Sequence, residues 1–494
     1  MPCTVFFALG ATVLLVWWYI SFKFTYWARR GVIQMPPSFP FGNIREVGRT
    51  LHSAELMKSV YEKFRGSGQA FVGLYYFTRP VAMVTDLNLV RDILVRKFVH
   101  FSDRGVYFNE VDDPLSAHLF SLEGEKWRDL RRTVSSLFSP TRTRVFHNAI
   151  WEVSSRLAVC IGAKTSHNPT INVSDLSGRY VIDTIGQCVF GINPNTILDD
   201  TAPFRAISAK IFSMTPMQML KHLFMQSFRN TARKFHMKLT KKDVEDFFLS
   251  LNCTQPEGNF TQQTSFTQLL QKLREEGKLS SNQVTAQSFI FFVAGFETSA
   301  ITIAYCLHEL AWNPLIQERL REEILELEQG DLSWDDINRM TLLSAVVNET
   351  LRKYPPGGNF LRVAKEDFKV GNKIIERDTL VVIPLYGIHR DENFHSNPLI
   401  FNPDRPELAQ HSCMFMPFGD GPRHCIGRRF ALHQVKLVIS ALVSHYRFSP
   451  TPDASYSIEL AKNTVLLKPQ KPIFLNVERL RDDSLSLEKT KTLL

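Results

Sequence analysis

The sequence predicts a mainly helical protein with small β-sheets, preceded by one N-terminal transmembrane helix. Three observations support this fold class. Helix-like periodicity extends from Glu123 to Leu327 almost without interruption. Two short strand-like runs precede that region, which is the pattern of a helical body that carries small sheets. The N-terminal segment is uncharged and apolar, and a proline-rich stretch separates it from the rest of the chain.

The first 22 residues carry no charge, and Val5 to Phe22 are almost wholly apolar. At ~1.5 Å per residue, a helix of this length crosses a hydrocarbon core of ~30 Å. Lys23, Arg29 and Arg30 follow, and this basic flank places the body of the protein in the cytosol. The aromatic residues that we expect at the membrane interface are Trp17, Trp18, Tyr19, Tyr26 and Trp27. We predict a signal anchor over residues 1–30, with a buried core helix as the alternative.

The proline-rich stretch predicts a stiff linker over residues 31–45. Its backbone is restricted at Pro36, Pro37 and Pro40 and is permissive at Gly42. No second linker, repeat or low-complexity block follows. We therefore predict one large domain over residues 46–478 and a polar tail over residues 479–494.

The first part of this domain alternates helix and strand. Two helices flank strands that we predict at Ala70–Tyr76 and Pro80–Thr85. An irregular aromatic segment then extends from Phe98 to Phe120. Further along, the methionine-rich stretch at residues 213–228 predicts either adaptable core packing or a loop that contacts the membrane.

The composition excludes several classes of protein. The net charge of +9 is spread along the chain without a dense basic block, which argues against nucleic-acid binding and favours an acidic partner or an anionic lipid surface. Seven irregularly spaced cysteines argue against a disulfide framework and for a reducing compartment. The glycosylation sequons would then be chance matches, at Asn172, Asn252, Asn259 and Asn348. The 38 phenylalanines suit a large apolar pocket as well as an ordinary core.

Chemistry is concentrated between Phe418 and Phe430. Gly419 and Gly421 predict a tight loop, and Cys425 follows at the start of a helical pattern. A helix N-terminus favours a thiolate, so Cys425 is predicted to be a ligand or a nucleophile. Haem iron is one metal for which a single axial cysteine suffices.

Two alternatives remain open for this loop on its residues alone. It could be a helix-capping turn with an inert buried cysteine, which is a common situation for a lone cysteine. It could also contribute to a zinc site, because His411, Cys413, His424 and Cys425 lie close together in sequence.

A second motif interrupts the long apolar helix predicted over Ser281–Trp312. Glu297 and Thr298 are costly to bury in so apolar a segment unless they have a purpose. Gly295 weakens the helix, and Thr298 can bond to a carbonyl one turn earlier, which predicts a local opening. The alternative is a solvated glutamate beside a helix contact made by small residues.

Two further pairs lie at helical spacing. Glu349 and Arg352 share one face of a helix that we predict to begin by Ser333. Trp127 and Arg131 lie one turn apart, a spacing that is also common in exposed cation–π pairs.

Together these motifs resemble the cytochrome P-450 family. The loop is similar to that family's haem signature, Phe-x-x-Gly-x-Arg-x-Cys-x-Gly, which is filled here by Phe418, Gly421, Arg423, Cys425 and Gly427. The resemblance implies a triangular, mainly helical fold in which Cys425 is the axial ligand of haem iron. The loop residues Phe418, Gly419 and Gly427 would then surround the haem.

The resemblance also implies roles for the other motifs. Thr298 would position water and bound dioxygen, Glu297 would help relay protons, and Gly295 would leave room for the oxygen. The residues implied to hold the haem propionates are Trp127, Arg131, Arg362 and Arg423. The residues implied to form a buried ion network behind the haem are Glu349, Arg352 and Arg405.

The implied function is a monooxygenase that inserts one oxygen atom of O2 into apolar small molecules. Its electrons would come from NADPH through an acidic cytochrome reductase that docks at Arg428 and Arg429, with cytochrome b5 as a second candidate donor. The catalytic domain would lie on the cytosolic face of the endoplasmic reticulum membrane, in contact with lipid.

Two stretches, Asp103–Tyr107 and Asp112–Phe120, resemble the insect microsomal branch, which implies xenobiotic metabolism. The alternatives are a biosynthetic hydroxylase of an endogenous lipid or hormone, a haem-thiolate isomerase, and a sensor. The residues that we expect to contact substrate are Phe101, Phe108, Phe291, Ala294 and Val465.

Overall fold

A computed structural model describes residues 2–212, 214–253, 265–327, 331–406 and 413–480. The helices are α1 (Pro2–Lys23), α2 (Ser53–Phe64), α3 (Leu87–Arg91), α4 (Gly124–Ser135), α5 (Pro140–Val145), α6 (His147–Thr165), α7 (Val173–Ile185), α8 (Pro203–Phe212), α9 (Pro216–Ser227), α10 (Arg229–Lys234), α11 (Lys242–Cys253), α12 (Phe266–Glu275), α13 (Ser281–Trp312), α14 (Pro314–Leu327), α15 (Trp334–Arg339), α16 (Thr341–Lys353), α17 (Leu385–Ile388) and α18 (Arg428–His445). The strands are β1 (Phe71–Tyr76), β2 (Arg79–Val84), β3 (Thr170–Asn172), β4 (Phe360–Val363), β5 (Phe368–Val370), β6 (Lys373–Ile375), β7 (Leu380–Ile383), β8 (Tyr446–Pro450) and β9 (Phe474–Arg479). The mainly helical fold class is confirmed.

The strands form three small sheets with the orders β1-β2-β7-β4, β3-β9-β8 and β5-β6. In the first sheet β1 and β2 are antiparallel, with Phe71 opposite Val84, while β2 and β7 are parallel, with Met83 opposite Val382. The two strands predicted from the sequence agree with β1 and β2 to within one residue at each end. This sheet has its own apolar core beside the larger helical core.

Helix α13 begins and ends where the sequence predicts. Ser280 and Gln283 form a capping box at its N-terminus, and most of its side chains are buried against neighbours that include α7, α16 and α18. The helix is continuous, so the prediction of a local opening near Gly295 is wrong. Thr298 does bond to the Ala294 carbonyl, at 2.6 Å, but it does so within an unbroken helix.

The helix predicted to begin by Ser333 is in fact two helices. Ser333 caps the short helix α15 through a capping box with Asp336, as its position suggests. Met340 then adopts an extended conformation with ψ of 98° and is fully buried. Burial of the Met340 side chain stabilises this break, and α16 begins at the next residue.

The N-terminal helix is attached closely to the domain. Trp27, which we expected at the membrane interface, is fully buried, and its Nε1–H donates to the Leu74 carbonyl at 3.0 Å. Its ring lies where a side chain on Gly73 would otherwise be. That expectation was wrong for Trp27 because the indole packs into the first sheet.

The stretch predicted as a linker also contacts this sheet. Val32 and Ile44 are buried, and the backbone of residues 33–43 bonds to β1 at Gly73 and Tyr75. Two helices in the described residues are long and apolar enough to cross a membrane. The apolar part of Val5–Arg30 is not buried by the protein, whereas Ser281–Trp312 is mostly buried in the core. Val5–Arg30 is therefore the candidate membrane anchor.

The methionine-rich segment is divided between core and surface. Met219 and Met225 on α9 are buried, whereas Met217 is 72% exposed. Of the other positions discussed above, Ser213, Asn259, His411 and the predicted tail from residue 481 lie outside the described residues.

Candidate functional site

The loop before α18 has a shape that its glycines determine. Gly419 and Gly421 have φ of 73° and 68°, in the left-handed region that favours glycine. A Cβ on Gly421 would lie 1.8 Å from the Leu94 carbonyl oxygen, so no other residue fits there. The Cys425 N–H donates to the Phe418 carbonyl at 2.8 Å and closes the loop. Gly427 is the N-cap of α18, which places Cys425 two residues before the cap.

The Cys425 side chain is accessible although protein surrounds it, and we infer that it faces a space inside the protein, called the chamber below. The thiol is exposed, yet desolvation by the surrounding protein is the largest influence on its pKa, which is raised. The Gly427 N–H and the guanidinium groups of Arg104 and Arg131 act in the opposite direction and favour the thiolate. The reading as an inert buried cysteine is therefore wrong. A thiol in this setting loses its proton readily when it binds a metal cation.

Four arginines converge beside this chamber: Arg104, Arg131, Arg362 and Arg423. Burial and mutual repulsion lower the pKa of Arg104 far from its usual range. Burial also lowers the pKa of Arg423 to about 9 and that of Arg362 to about 10. Among the described residues, Asp103 is the one carboxylate that forms an ion pair with this cluster, 3.6 Å from Arg423 Nη2.

The cluster is built to hold an anion. Nη1 of Arg423 and Nε of Arg362 are buried and have no hydrogen-bond partner in the described part of the chain. Unpaired buried donors on cationic groups are costly, so their arrangement fits a ligand with more than one negative charge. The Arg423 guanidinium also lies 3.9 Å above the ring of Trp127, one turn from Arg131 on α4.

Arg104 is a site residue that sequence reasoning missed. Its guanidinium donates to the carbonyls of Phe120 and Arg423, at 2.9 and 2.8 Å. It therefore supports the Cys425 loop directly from the irregular aromatic segment. The sequence contained a weak signal, since an arginine in an aromatic, mostly apolar stretch needs a partner.

The central helix presents Ala294 and Thr298 on one face, one turn apart. Ala294 is exposed although most of α13 is buried, which indicates that this face borders the chamber. The neighbouring Glu297 is buried and accepts a hydrogen bond from Lys468 Nζ at 2.7 Å. Burial raises the pKa of Glu297, and Lys468 opposes that shift.

Gly295 lies at a close contact between two helices. A Cβ at this position would lie 3.1 Å from Cδ1 of Ile185 on α7. The small residue therefore permits close packing of two helices. The expectation that Gly295 leaves room for dioxygen stays a prediction.

The predicted ion network is assembled and fully buried. Arg352 donates to both oxygens of Glu349, at 2.7 and 2.8 Å, and Arg405 Nε donates to Oε1 at 2.9 Å. Arg352 Nη1 also donates to the His389 carbonyl at 2.8 Å. The ring of His389 in turn accepts from the Met416 N–H at 3.1 Å, two residues before Phe418. The network thus connects α16 to the start of the Cys425 loop.

The residues expected to contact substrate fall into two groups. Phe101 is fully buried against Phe368, and Phe291 packs against the stacked rings of Phe138 and Phe266 with 9% of its surface exposed. Phe101 is therefore a core residue, and the prediction was wrong for it. The other four keep accessible surface, Phe291 the least of them, and the three more exposed residues are Phe108, Ala294 and Val465.

A zinc site finds no support here. Among the described residues there is no group of three or more His, Cys, Asp or Glu side chains that could hold a metal ion. His424 lies beside Arg131, with 3.5 Å between Nε2 and Nη2, and its Nδ1 is 2.7 Å from the Gly421 carbonyl. Its contacts are therefore those of the arginine cluster and the loop.

Comparison with known proteins agrees with this geometry. The family model for cytochrome P450 matches residues 34–477. The chain is 35% identical over 486 residues to cytochrome P450 6a2 of Drosophila melanogaster, covering 93% of this chain and 96% of that protein. It is 34% identical over 498 residues to cytochrome P450 6A1 of Musca domestica, covering 96% and 98% of the two chains.

Proposed function

The chain belongs to the cytochrome P450 family of haem-thiolate monooxygenases, and from this premise we propose that Cys425 is the axial ligand of its haem iron. The observation that carries the proposal is the accessible Cys425 thiol, desolvated by the protein around it, beside four converging arginines. The reaction is RH + O2 + NADPH + H⁺ → ROH + H2O + NADP⁺, where RH is an apolar small molecule.

The residues present fit haem. The thiolate of Cys425 suits the iron, and the anion-binding cluster of Arg104, Arg131, Arg362 and Arg423 suits two propionates. The orphaned donors on Arg362 and Arg423 would find their partners there. When bound, the haem supplies the iron centre at which dioxygen is activated.

Glu297, Thr298 and Lys468 form the proton route in this proposal. Oxygen activation consumes protons in a chamber that otherwise excludes water. The Lys468 side chain is 43% exposed while that of Glu297 is 7% exposed. The pair therefore connects solvent to a buried position on α13. Thr298 commits its hydroxyl proton to the Ala294 carbonyl, which leaves its oxygen free to accept a hydrogen bond from water.

Electrons arrive from an NADPH-dependent reductase in this proposal. Arg428 and Arg429 are exposed at the start of α18, directly after the Cys425 loop. A cationic surface at this position favours an acidic donor protein, with cytochrome b5 as a second candidate.

Membrane attachment is part of the same proposal. The candidate anchor Val5–Arg30, together with the exposed Met217 on α9, would contact lipid. The basic residues after the apolar stretch favour a catalytic domain on the cytosolic face of the endoplasmic reticulum. Similarity to the insect P450s above favours metabolism of varied foreign compounds. Turnover of a panel of apolar substrates, compared with turnover of a single endogenous lipid, tests this proposal.

The decisive measurement is the reduced carbon-monoxide difference spectrum. We expect the red-shifted band of a thiolate-ligated haem in the native protein and its loss in Cys425→Ser. Cys413→Ser is the matched control, because Cys413 is a free, buried cysteine twelve positions before Cys425. A Cys425→Ser protein that keeps the red-shifted band would refute the assignment of the ligand.

A further inference from the structure

A buried hydrogen bond joins α18, the helix that follows the Cys425 loop, to α13, the helix that carries Thr298. Nε2 of Gln434 on α18 donates to Oγ of Ser299 on α13 at 2.6 Å, and both residues are buried. Gln434 lies nine positions after Cys425, and Ser299 directly follows Thr298. We propose that Gln434 and Ser299 are positioning residues that fix the orientation of Thr298 relative to Cys425. This inference rests on the proposed function of Thr298.

The three hydroxyl residues in this part of α13 are used differently. Thr298 donates to the Ala294 carbonyl and Thr302 donates to the Thr298 carbonyl, both within the helix. Ser299 instead bonds across to α18. Successive residues on an α-helix differ by ~100° around its axis. A fixed contact at Ser299 therefore sets the direction in which its neighbour Thr298 faces.

Gln434 is itself held in place from the opposite side. The Tyr180 hydroxyl on α7 donates to the Gln434 carbonyl at 2.9 Å, and the Ser154 hydroxyl on α6, which donates to the Ile150 carbonyl at 2.8 Å, lies 3.2 Å from the Tyr180 oxygen. These contacts form a buried polar column through α6, α7, α18 and α13. These contacts fix the position of α13 relative to α18, the helix that follows the Cys425 loop.

The chemistry of Gln434 argues for a role beyond packing. Its Oε1 is buried and has no hydrogen-bond partner among the described residues. If the amide is assigned the other way round, Ser299 donates to Oε1 and Nε2 is left unpaired. In either orientation one polar group is buried at a cost, whereas methionine would fill the same volume without it. Buried polar groups kept at such a cost are typical of functional positions.

The expected effect of breaking the bond is on coupling. Misplaced Thr298 favours the unproductive reaction O2 + NADPH + H⁺ → H2O2 + NADP⁺ over hydroxylation. A net hydrogen bond of ~1 kcal/mol corresponds to about a fivefold change in the population of the correct arrangement. We therefore expect Ser299→Ala and Gln434→Met each to raise the ratio of peroxide to product about fivefold.

The experiment uses the full-length holoenzyme with its reductase and any substrate that gives measurable turnover. Product, peroxide and NADPH are measured together, and haem content is taken from the carbon-monoxide band. Ser440→Ala is the matched control, since it removes a buried hydroxyl from the same helix that bonds to Met340 Sδ at 3.8 Å, away from α13. Hydrogen–deuterium exchange of the peptide around residues 294–300 provides a readout that is independent of turnover.

The proposal predicts more peroxide and faster exchange in Ser299→Ala and Gln434→Met, with neither change in Ser440→Ala. It also predicts that the double variant is no worse than either single variant, because one bond is lost in all three. Unchanged coupling in Ser299→Ala, which removes a single oxygen atom, would overturn it. Thr298→Ala separates the two hypotheses. A fully coupled Thr298→Ala enzyme would contradict the proton route. An uncoupled Thr298→Ala enzyme beside fully coupled Ser299→Ala and Gln434→Met enzymes would contradict the positioning role.

Discussion

The buried ion network makes Arg352→Ala the most informative substitution. Arg352 is fully buried and makes four hydrogen bonds, two to Glu349 and one each to the His389 and Pro398 carbonyls. Alanine leaves Glu349 buried with Arg405 as its remaining cationic partner and removes the donor from both carbonyls.

The magnitude follows from this arrangement. Breaking a buried ion pair from one side costs about 3–5 kcal/mol, and each carbonyl left unpaired costs about 1–3 kcal/mol. Because the terms overlap, we expect a loss of at least about 4 kcal/mol, a large part of a total stability of about 5–15 kcal/mol. The His389 carbonyl loses its donor while the His389 ring holds Met416, so the Cys425 loop should also lose its shape.

The assay combines urea denaturation with haem content. We expect Arg352→Ala to unfold at much lower urea and to contain little haem. Arg319→Ala is the matched control, because Arg319 makes a two-bond contact with Asp404 that is largely exposed. An exposed pair contributes about 0–1 kcal/mol, so this variant should behave as the native protein. An Arg352→Ala protein with full haem content and native stability would refute the reasoning.

Two further predictions concern the loop and the core. Gly421→Ala should abolish haem incorporation, because its Cβ would overlap the Leu94 carbonyl at 1.8 Å; Gly427→Ala, with φ of −85° at that position, should retain the carbon-monoxide band. His433 bonds to His147 in the core, and burial lowers the pKa of His433 to about 3. The unfolded chain therefore binds the proton first, and stability present above pH ~6.5 falls by about 1.4 kcal/mol per pH unit as pH decreases toward 3. Urea midpoints at pH 7 and 5.5 should show a smaller difference in His433→Gln than in the native protein, and equal differences would contradict this account.

The features that the sequence predicted best are those carried by fixed local spacing. Helix α13 has a capping box at one end and a continuous apolar pattern, so its bounds could be read directly. Glu349 and Arg352 are one turn apart, so only their meeting with Arg405 required the fold. The Cys425 loop was predictable because its glycines have conformations that few other residues adopt.

The errors and omissions came from contacts that depend on distant parts of the chain. Ile185 packs against Gly295, and nothing near Gly295 in sequence indicates this contact. Phe101 is buried by Phe368, and the break at Met340 is fixed by burial of its side chain. Arg104 lies more than 300 positions from Arg423, so its part in the anion-binding cluster could not be inferred from spacing.

The burial of Trp27 has a mechanical consequence. The indole, the ion pair between Arg30 and Glu376, and the bond from the Tyr75 hydroxyl to the Phe24 carbonyl lock the end of α1 onto the sheet. The anchor and the domain should therefore tumble as one rigid body in a bilayer. Rotational anisotropy of a probe on the domain would then report the slow motion of the membrane helix, and Trp27→Ala would release a faster component.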